Sequence, residues 1–118
     1  MYGVIYLWKV KPEKLAEHDR VMRAVLHAER ERCPEVLLNL TMGPSADGTV
    51  AEVQVYRDAE TCNGGFSARV KREDAELERL WDLFGDLCQP DGFTTHRFES
   101  MDFLNESFAR VAAGLRSA

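Results

Sequence analysis

Three histidines punctuate this 118-residue chain, and histidine is the side chain whose ordinary pKa lies closest to neutrality. His18 falls on the apolar side of a run with helical periodicity, so it turns toward whatever that run packs on. There an imidazole could take the proton of a phenolic substrate. The bland alternative is a buried or boundary imidazole bonded to a strand carbonyl or to a polar side chain of a sheet. His27 follows nine positions later, which turns it to the opposite side of the same helix and excludes a metal shared by the two. No metal ligand set is read elsewhere.

His96 and Arg97 are neighbours in a run that alternates like a strand, so they point to opposite faces and only one of them can reach a given pocket. Either could hold an anionic or enolate oxygen; an ion pair of Arg97 with Glu52 on a neighbouring strand competes. Tyr6, Trp8, Tyr56, Trp81 and Phe84 carry enough aromatic surface to sandwich a planar ligand. Aromatic residues at these spacings also build ordinary cores. His18 and His96 are thus the candidate bases, with Tyr6, Trp8, Tyr56, Trp81, Phe84 and Arg97 as candidate binding residues.

These groups need elements to hold them. Tyr2 to Val10 is rich in Val, Ile, Tyr and Trp with both alternating sets apolar, which predicts a strand covered on both faces. Pro12 and Glu13 suit the first turn of a helix. Leu15, His18, Met22, Val25, Leu26 and Cys33 then gather on one face, at about 100° per residue, as far as Pro34. His18 and Glu29 are the polar exceptions in or beside that stripe. Val36 to Met42 and Thr49 to Arg57 read as strands of an antiparallel hairpin, joined by Gly43-Pro44-Ser45-Ala46-Asp47-Gly48. Asn39 and Thr41 on the first, and Glu52 and Gln54 on the second, form polar sets. If their faces coincide, they line either the interior of a dimer, the favoured reading, or a pocket floor.

Asp58 suits the N-cap of a short helical piece that Asn63-Gly64-Gly65 interrupts. A clearer helix is expected from about Glu73 to Cys88 on Leu77, Leu80, Trp81, Phe84 and Leu87, with Pro90-Asp91-Gly92 ending it. The basic cluster Arg69, Lys71 and Arg72 is followed at once by Glu73 and Asp74, as at a solvated helix start rather than at a phosphate site. Phe93 to Ser100 alternates as a fourth strand, and Asp102 could cap a last helix over 102–116.

Fifteen Lys and Arg against 20 Asp and Glu give a net charge of −5, with 45% hydrophobic and 30% charged residues. The composition fits one domain, 1–118, with a buried core, and the acidic balance disfavours a nucleic-acid partner. No apolar run nears the roughly 20 residues of a spanning helix, and the N-terminus reads as strand rather than signal peptide. A cytoplasmic protein without a membrane partner is therefore expected. Cys33, Cys62 and Cys88 are odd in number and lack a C-x-x-C, which suits reduced thiols. Cys33 and Cys88 read as small core residues, whereas Cys62 is left open. No G-x-G-x-x-G, P-loop, H-E-x-x-H or G-x-S-x-G occurs.

The order βαββαβ plus a terminal helix is the split βαβ, ferredoxin-like arrangement: an α+β fold with a four-stranded antiparallel sheet and helices on one face. One protomer would leave the other face bare. The doubly apolar first strand implies a cover there, most economically a second copy of the sheet, so a homodimer is expected.

Tyr2-Gly3-Val4-Ile5-Tyr6-Leu7-Trp8-Lys9-Val10-Lys11-Pro12-Glu13-Lys14 resembles the opening strand of the dimeric α+β barrel superfamily, in its antibiotic biosynthesis monooxygenase-like branch. Val53-Gln54-Val55-Tyr56-Arg57-Asp58-Ala59-Glu60-Thr61 is similar to that branch's third-strand exit. The resemblance spans roughly the first hundred residues. There are departures: Cys33-Pro34-Glu35 stands where Pro-Gly is common, Tyr56 stands for the usual Trp, and the usual His in the following helix is absent. Tyr2 to Val10 holds no Asn and only Trp81 is available on the second helix, which disfavours haem degradation. The resemblance implies a pocket between helices and sheet, used elsewhere in the branch for cofactor-free oxygenation of hydroxylated aromatics or for isomerisation. For this chain it implies a small aromatic or polyketide-like ligand and no cofactor; a cavity of about 300 Å³ or more reached by a histidine would favour this reading, and a filled interior an assembly module. The competing reading is a non-catalytic binding or assembly module, or an isomerase or cyclase, on the same fold.

Overall fold

The computed structural model describes residues 1–99; the expected last helix over 102–116 lies outside them. Strand β1 (Tyr2–Lys9) leads through a 3-10 turn, Pro12–Lys14, into the long helix α1 (Leu15–Arg32). The hairpin β2 (Val36–Met42) and β3 (Thr49–Tyr56) follows. Gly43 opens its turn at φ +115, where a Cβ would lie 2.7 Å from the carbonyl oxygen of Thr49, so no other residue fits without displacing the turn. An irregular helical turn, Thr61–Gly65, then precedes α2 (Phe66–Glu73), α3 (Ala75–Asp86) and β4 (Thr94–Phe98).

The strands form one sheet in the order β2-β3-β1-β4, with every neighbouring pair antiparallel. This is the ferredoxin-like α+β architecture expected from the order of elements. Tyr6 lies opposite Glu52 and Thr95, and Val4 lies opposite Gln54 and Arg97. Side chains alternate, so the even residues of β1 and β3 share one face with Thr95 and Arg97. That face meets the helices: Val4 and Tyr56 pack with Val21 and Val25 of α1, Phe66 and Val70 of α2, and Leu77 and Leu80 of α3. The opposite face carries Ile5, Leu7, Ala51 and Val53, flanked by Leu40 and Met42 of β2 and by His96 and Phe98 of β4.

Three expectations change. The polar residues of the hairpin belong to the helix-facing side, because Asn39 lies opposite Gln54, Thr41 lies opposite Glu52, and the even residues of β3 sit under α1. Glu52 and Gln54 are therefore a pocket floor rather than the interior of a dimer, with Asn39 and Thr41 beside them on the same face. A bulge between Val36 and Leu38 shifts the phase, so Val36 and Leu38 do not share the face that simple alternation assigns them. Finally, Gly64 takes φ +122 and redirects the chain into a full helix, α2, where the sequence predicted only an interrupted piece. Phe66 and Val70, four apart and both buried, are the signal for it.

Asp74 closes α2 and caps α3, accepting from the Leu77 N–H at 3.0 Å. Its carboxylate also accepts from Arg32 Nε at 2.8 Å, which fastens the end of α1 to the start of α3. Arg69 lies inside α2, not at a helix start, and donates two hydrogen bonds to Glu35 just before β2. The cluster is thus partly structural. Cys33, Cys62 and Cys88 are buried free thiols, which resolves Cys62 as a packed residue. No helix among the described residues is long and apolar enough to cross a membrane.

Candidate functional site

Between helices and sheet lies a partly open cavity of about 200 Å³. Tyr6 and Trp8 of β1 and Tyr56 of β3 supply aromatic wall from below; Met22 and Val25 of α1, Phe66 of α2, and Trp81 and Phe84 of α3 close it from above. Phe93, just before β4, completes the rim and stacks on Trp8 with centroids 6.0 Å apart. Edge-to-face contacts of Trp8 with Phe84 at 4.9 Å and of Phe66 with Trp81 at 5.5 Å fix the walls. The cavity is smaller than the about 300 Å³ that would favour the enzyme reading, and it is large enough for one or two fused rings, since an apolar cavity of about 150 Å³ can hold benzene.

Five of the aromatic candidates, Tyr6, Trp8, Tyr56, Trp81 and Phe84, therefore converge on one space. The basic candidates do not join them. His18 is buried behind Trp8, where its Nε2 accepts the indole N–H at 3.0 Å. Burial lowers its pKa below the usual histidine value, while Asp19 acts the other way. The neutral ring thus carries its proton on Nδ1. His96 lies on the exposed face of β4, turned away from the cavity by the same alternation that places Arg97 on the helix side. Arg97 lies near the margin, its Nε donating to the Cys62 carbonyl at 3.5 Å rather than to Glu52.

Carboxylates reach the cavity instead. Glu29 of α1 and Glu52 of β3 line it with Gln54, and both are among the few buried charged residues, 3% and 7% exposed. Glu29 accepts from Asn39 Nδ2 on one oxygen and from Trp81 Nε1, at 3.3 Å, on the other. Burial raises its pKa to about 7, against the lowering effect of those two donors. Glu52 has one long hydrogen bond, from Thr41 Oγ1 at 3.4 Å to Oε2. Burial, then the nearby charge of Glu29, pushes it up to about 8, while Asn39 and Thr41 pull it down. Tyr56 donates its hydroxyl to Gln54 Oε1. The carbonyl oxygen of Asn39 is buried without a donor.

Neither glutamate was singled out as a site residue from the sequence. The traces were there: Glu29 interrupts the apolar stripe of α1, and Glu52 belongs to a polar alternation on a strand whose other residues are apolar. What the sequence does not contain is their meeting.

No protein-family model matches the sequence, and no curated protein matches it. Solved structures do. A crystal structure of an antibiotic biosynthesis monooxygenase superposes with a TM-score of 0.67 at 17% identity, covering 86% of this chain and 99% of the other. SnoaB, a cofactor-independent oxygenase from Streptomyces nogalater, superposes in its N63A form with a TM-score of 0.64 at 13% identity, over 89% of this chain and 97% of its own. Rv0793 from Mycobacterium tuberculosis gives 0.63 at 11% identity, over 86% and 95%. At these identities the likeness establishes the fold: the chain shares that of the antibiotic biosynthesis monooxygenase-like proteins, as the resemblance of its opening and third-strand segments implied.

Proposed function

We propose that this chain binds a small hydroxylated aromatic molecule between its helices and sheet and promotes its reaction with oxygen without a cofactor. The observation that carries this reading is a 200 Å³ aromatic-walled cavity with a polar floor, on a fold that SnoaB, a cofactor-independent oxygenase, shares. Loss of the hydroxyl proton would make the ring electron-rich enough to give an electron to oxygen, and the stacked walls would hold it flat. The cavity's size favours one or two rings over a larger polyketide.

The protein would act as a homodimer. Leu40, Met42 and Phe98 on the face away from the helices are 37%, 58% and 47% exposed, and Ile5, Leu7 and Val53 lie between them. A second sheet would cover this apolar surface. The sequence names His18 or His96 as the base, although neither lines the cavity, so either would act on the ligand only indirectly. Oxygen uptake with hydroquinone-type substrates, measured for His18→Ala and His96→Ala, tests that assignment; unchanged turnover in both removes the two histidines from it.

A second reading is a ligand-binding or assembly module without turnover. Two observations favour it: the cavity is below 300 Å³, and no histidine reaches it. A panel of phenols and quinols that raises the melting temperature without consuming oxygen would support it over the first.

A further inference from the structure

Glu52 presents an anomaly that packing alone does not explain. Its side chain is more than nine-tenths buried and lines the aromatic cavity, yet its donors are weak: the Thr41 hydroxyl at 3.4 Å, and the Asn39 amide, whose nitrogen is already committed to Glu29. Buried carboxyls are ordinarily satisfied by donors, as Glu29 is by Asn39 and Trp81. A carboxyl so weakly held at the cavity wall has room for a stronger donor that enters the cavity.

We propose that Glu52 receives the hydroxyl of an uncharged one- or two-ring phenol and is its proton acceptor, with Glu29 as the neighbouring carboxyl that tunes it. This rests on the reading of the cavity as a site for hydroxylated aromatics and names the group that meets the hydroxyl. In the step, the ligand O–H bond breaks, the proton passes to a Glu52 carboxylate oxygen, and the electron pair stays on the ligand oxygen as phenolate. No redox partner is consumed.

The proton balance favours this group. A phenol hydroxyl titrates near 10 and an ordinary glutamate near 4.3, so transfer to an ordinary carboxylate is uphill by about six powers of ten. A carboxyl raised to about 8 narrows that gap, and burial of the ligand's own hydroxyl, which raises Tyr6 and Tyr56 in the same way, widens it again in part. His18, by contrast, has its Nε2 lone pair engaged by Trp8.

Charge also defines the ligand. No Lys or Arg lines the cavity among the described residues, and two carboxyls do. At pH values above 8, where both carboxyls are ionised, an aromatic carboxylate or phosphate would meet like charge without a compensating cation, whereas a neutral donor would not. The other titratable groups facing Glu52 are Glu29 from α1, Tyr6 from β1 and Tyr56 from its own strand, with both tyrosines pushed up by burial. Arg97 of β4 acts on Tyr6.

The test uses 2-naphthol, its methyl ether and 2-naphthoate as probes, with affinities measured calorimetrically from pH 6 to 9 on the whole protein. The naphthol should bind about tenfold more tightly than the ether, the value of one charge-assisted hydrogen bond, and that ratio should grow as pH rises through 8. Naphthoate should be the weakest of the three above pH 8, where both carboxyls are charged. In Glu52→Gln the ratio should lose its pH dependence, and in Glu29→Gln its midpoint should move to lower pH. Equal binding of naphthol and ether at every pH overturns the role of Glu52 while leaving the cavity a binding site, as does naphthoate binding as tightly as naphthol above pH 8. If neither neutral probe binds, the reading of the cavity fails with it. The naphthol and ether comparison needs no variant, so a misfolded mutant cannot blur the result.

Discussion

Trp8 donates its indole N–H to Nε2 of His18 across 3.0 Å, and both side chains are buried, so a strand and a helix are joined by a hydrogen bond inside the core. Phe84 leans on both rings, with centroids 4.9 Å from Trp8 and 5.8 Å from His18. The same Trp8 forms part of the cavity wall. His18 therefore controls the shape of the site even without touching its contents.

Replacing His18 by Ala leaves a buried indole donor unpaired and opens space beside it. Chemical denaturation should show a loss of about 2–4 kcal/mol. The pH dependence carries a sign. His18 has a folded pKa below its unfolded value, so its contribution is present above about 6.5 and is lost as pH falls through the folded value. A wild-type protein whose stability did not decline on acidification below pH 6.5, relative to His18→Ala, would contradict the buried neutral imidazole.

The glutamates act in the opposite sense. Their folded pKa values, about 7 for Glu29 and about 8 for Glu52, stand above the ordinary 4.5. Stability should be fullest below pH 4.5 from these groups and should fall as pH rises through 7 and 8. Glu52→Gln should remove much of that slope and stabilise the protein at pH 9 by on the order of 3 kcal/mol. Urea midpoints from pH 5 to 9 measure this.

Asp74 serves two partners, the N-terminus of α3 and Arg32 of α1. Asp74→Ala should cost about 1–2 kcal/mol, more than a cap alone in a peptide, while Asp74→Asn should recover part of the capping contribution but not the charge. A double-mutant cycle with Arg32→Ala separates the two contributions.

For the proposed homodimer, Val53→Lys places a charge in the middle of the sheet face away from the helices, opposite Ile5 and Leu40. Sedimentation at micromolar concentration should then find a protomer where the unaltered protein sediments as a dimer. A lone protomer for the unaltered protein would remove the homodimer and the barrel with it.

How far the site could be read in advance differs from residue to residue. Tyr6, Trp8, Tyr56, Trp81 and Phe84 were legible because strand alternation and helical spacing place them inside their elements, and all five line one cavity. Glu29 was visible as an interruption of an apolar stripe, and Glu52 as one of a polar set. Their common destination was not, because Glu29 comes from a helix and Glu52 from a strand 23 positions later in the chain. His96 illustrates the same gap on one strand: alternation separates it from Arg97 without saying which of the two faces the helices.

The order of the elements and the ferredoxin-like fold were legible along the chain, since the 2.0 and 3.6 periodicities of buried positions and the turn residues between them are local properties. Which side of the hairpin faces the helices was settled by packing alone. Alternation divides a strand into two sets but leaves the choice between them to strand register and to the packing of α1 over β2 and β3. That packing brought Asn39, Glu52 and Glu29 together under one aromatic roof.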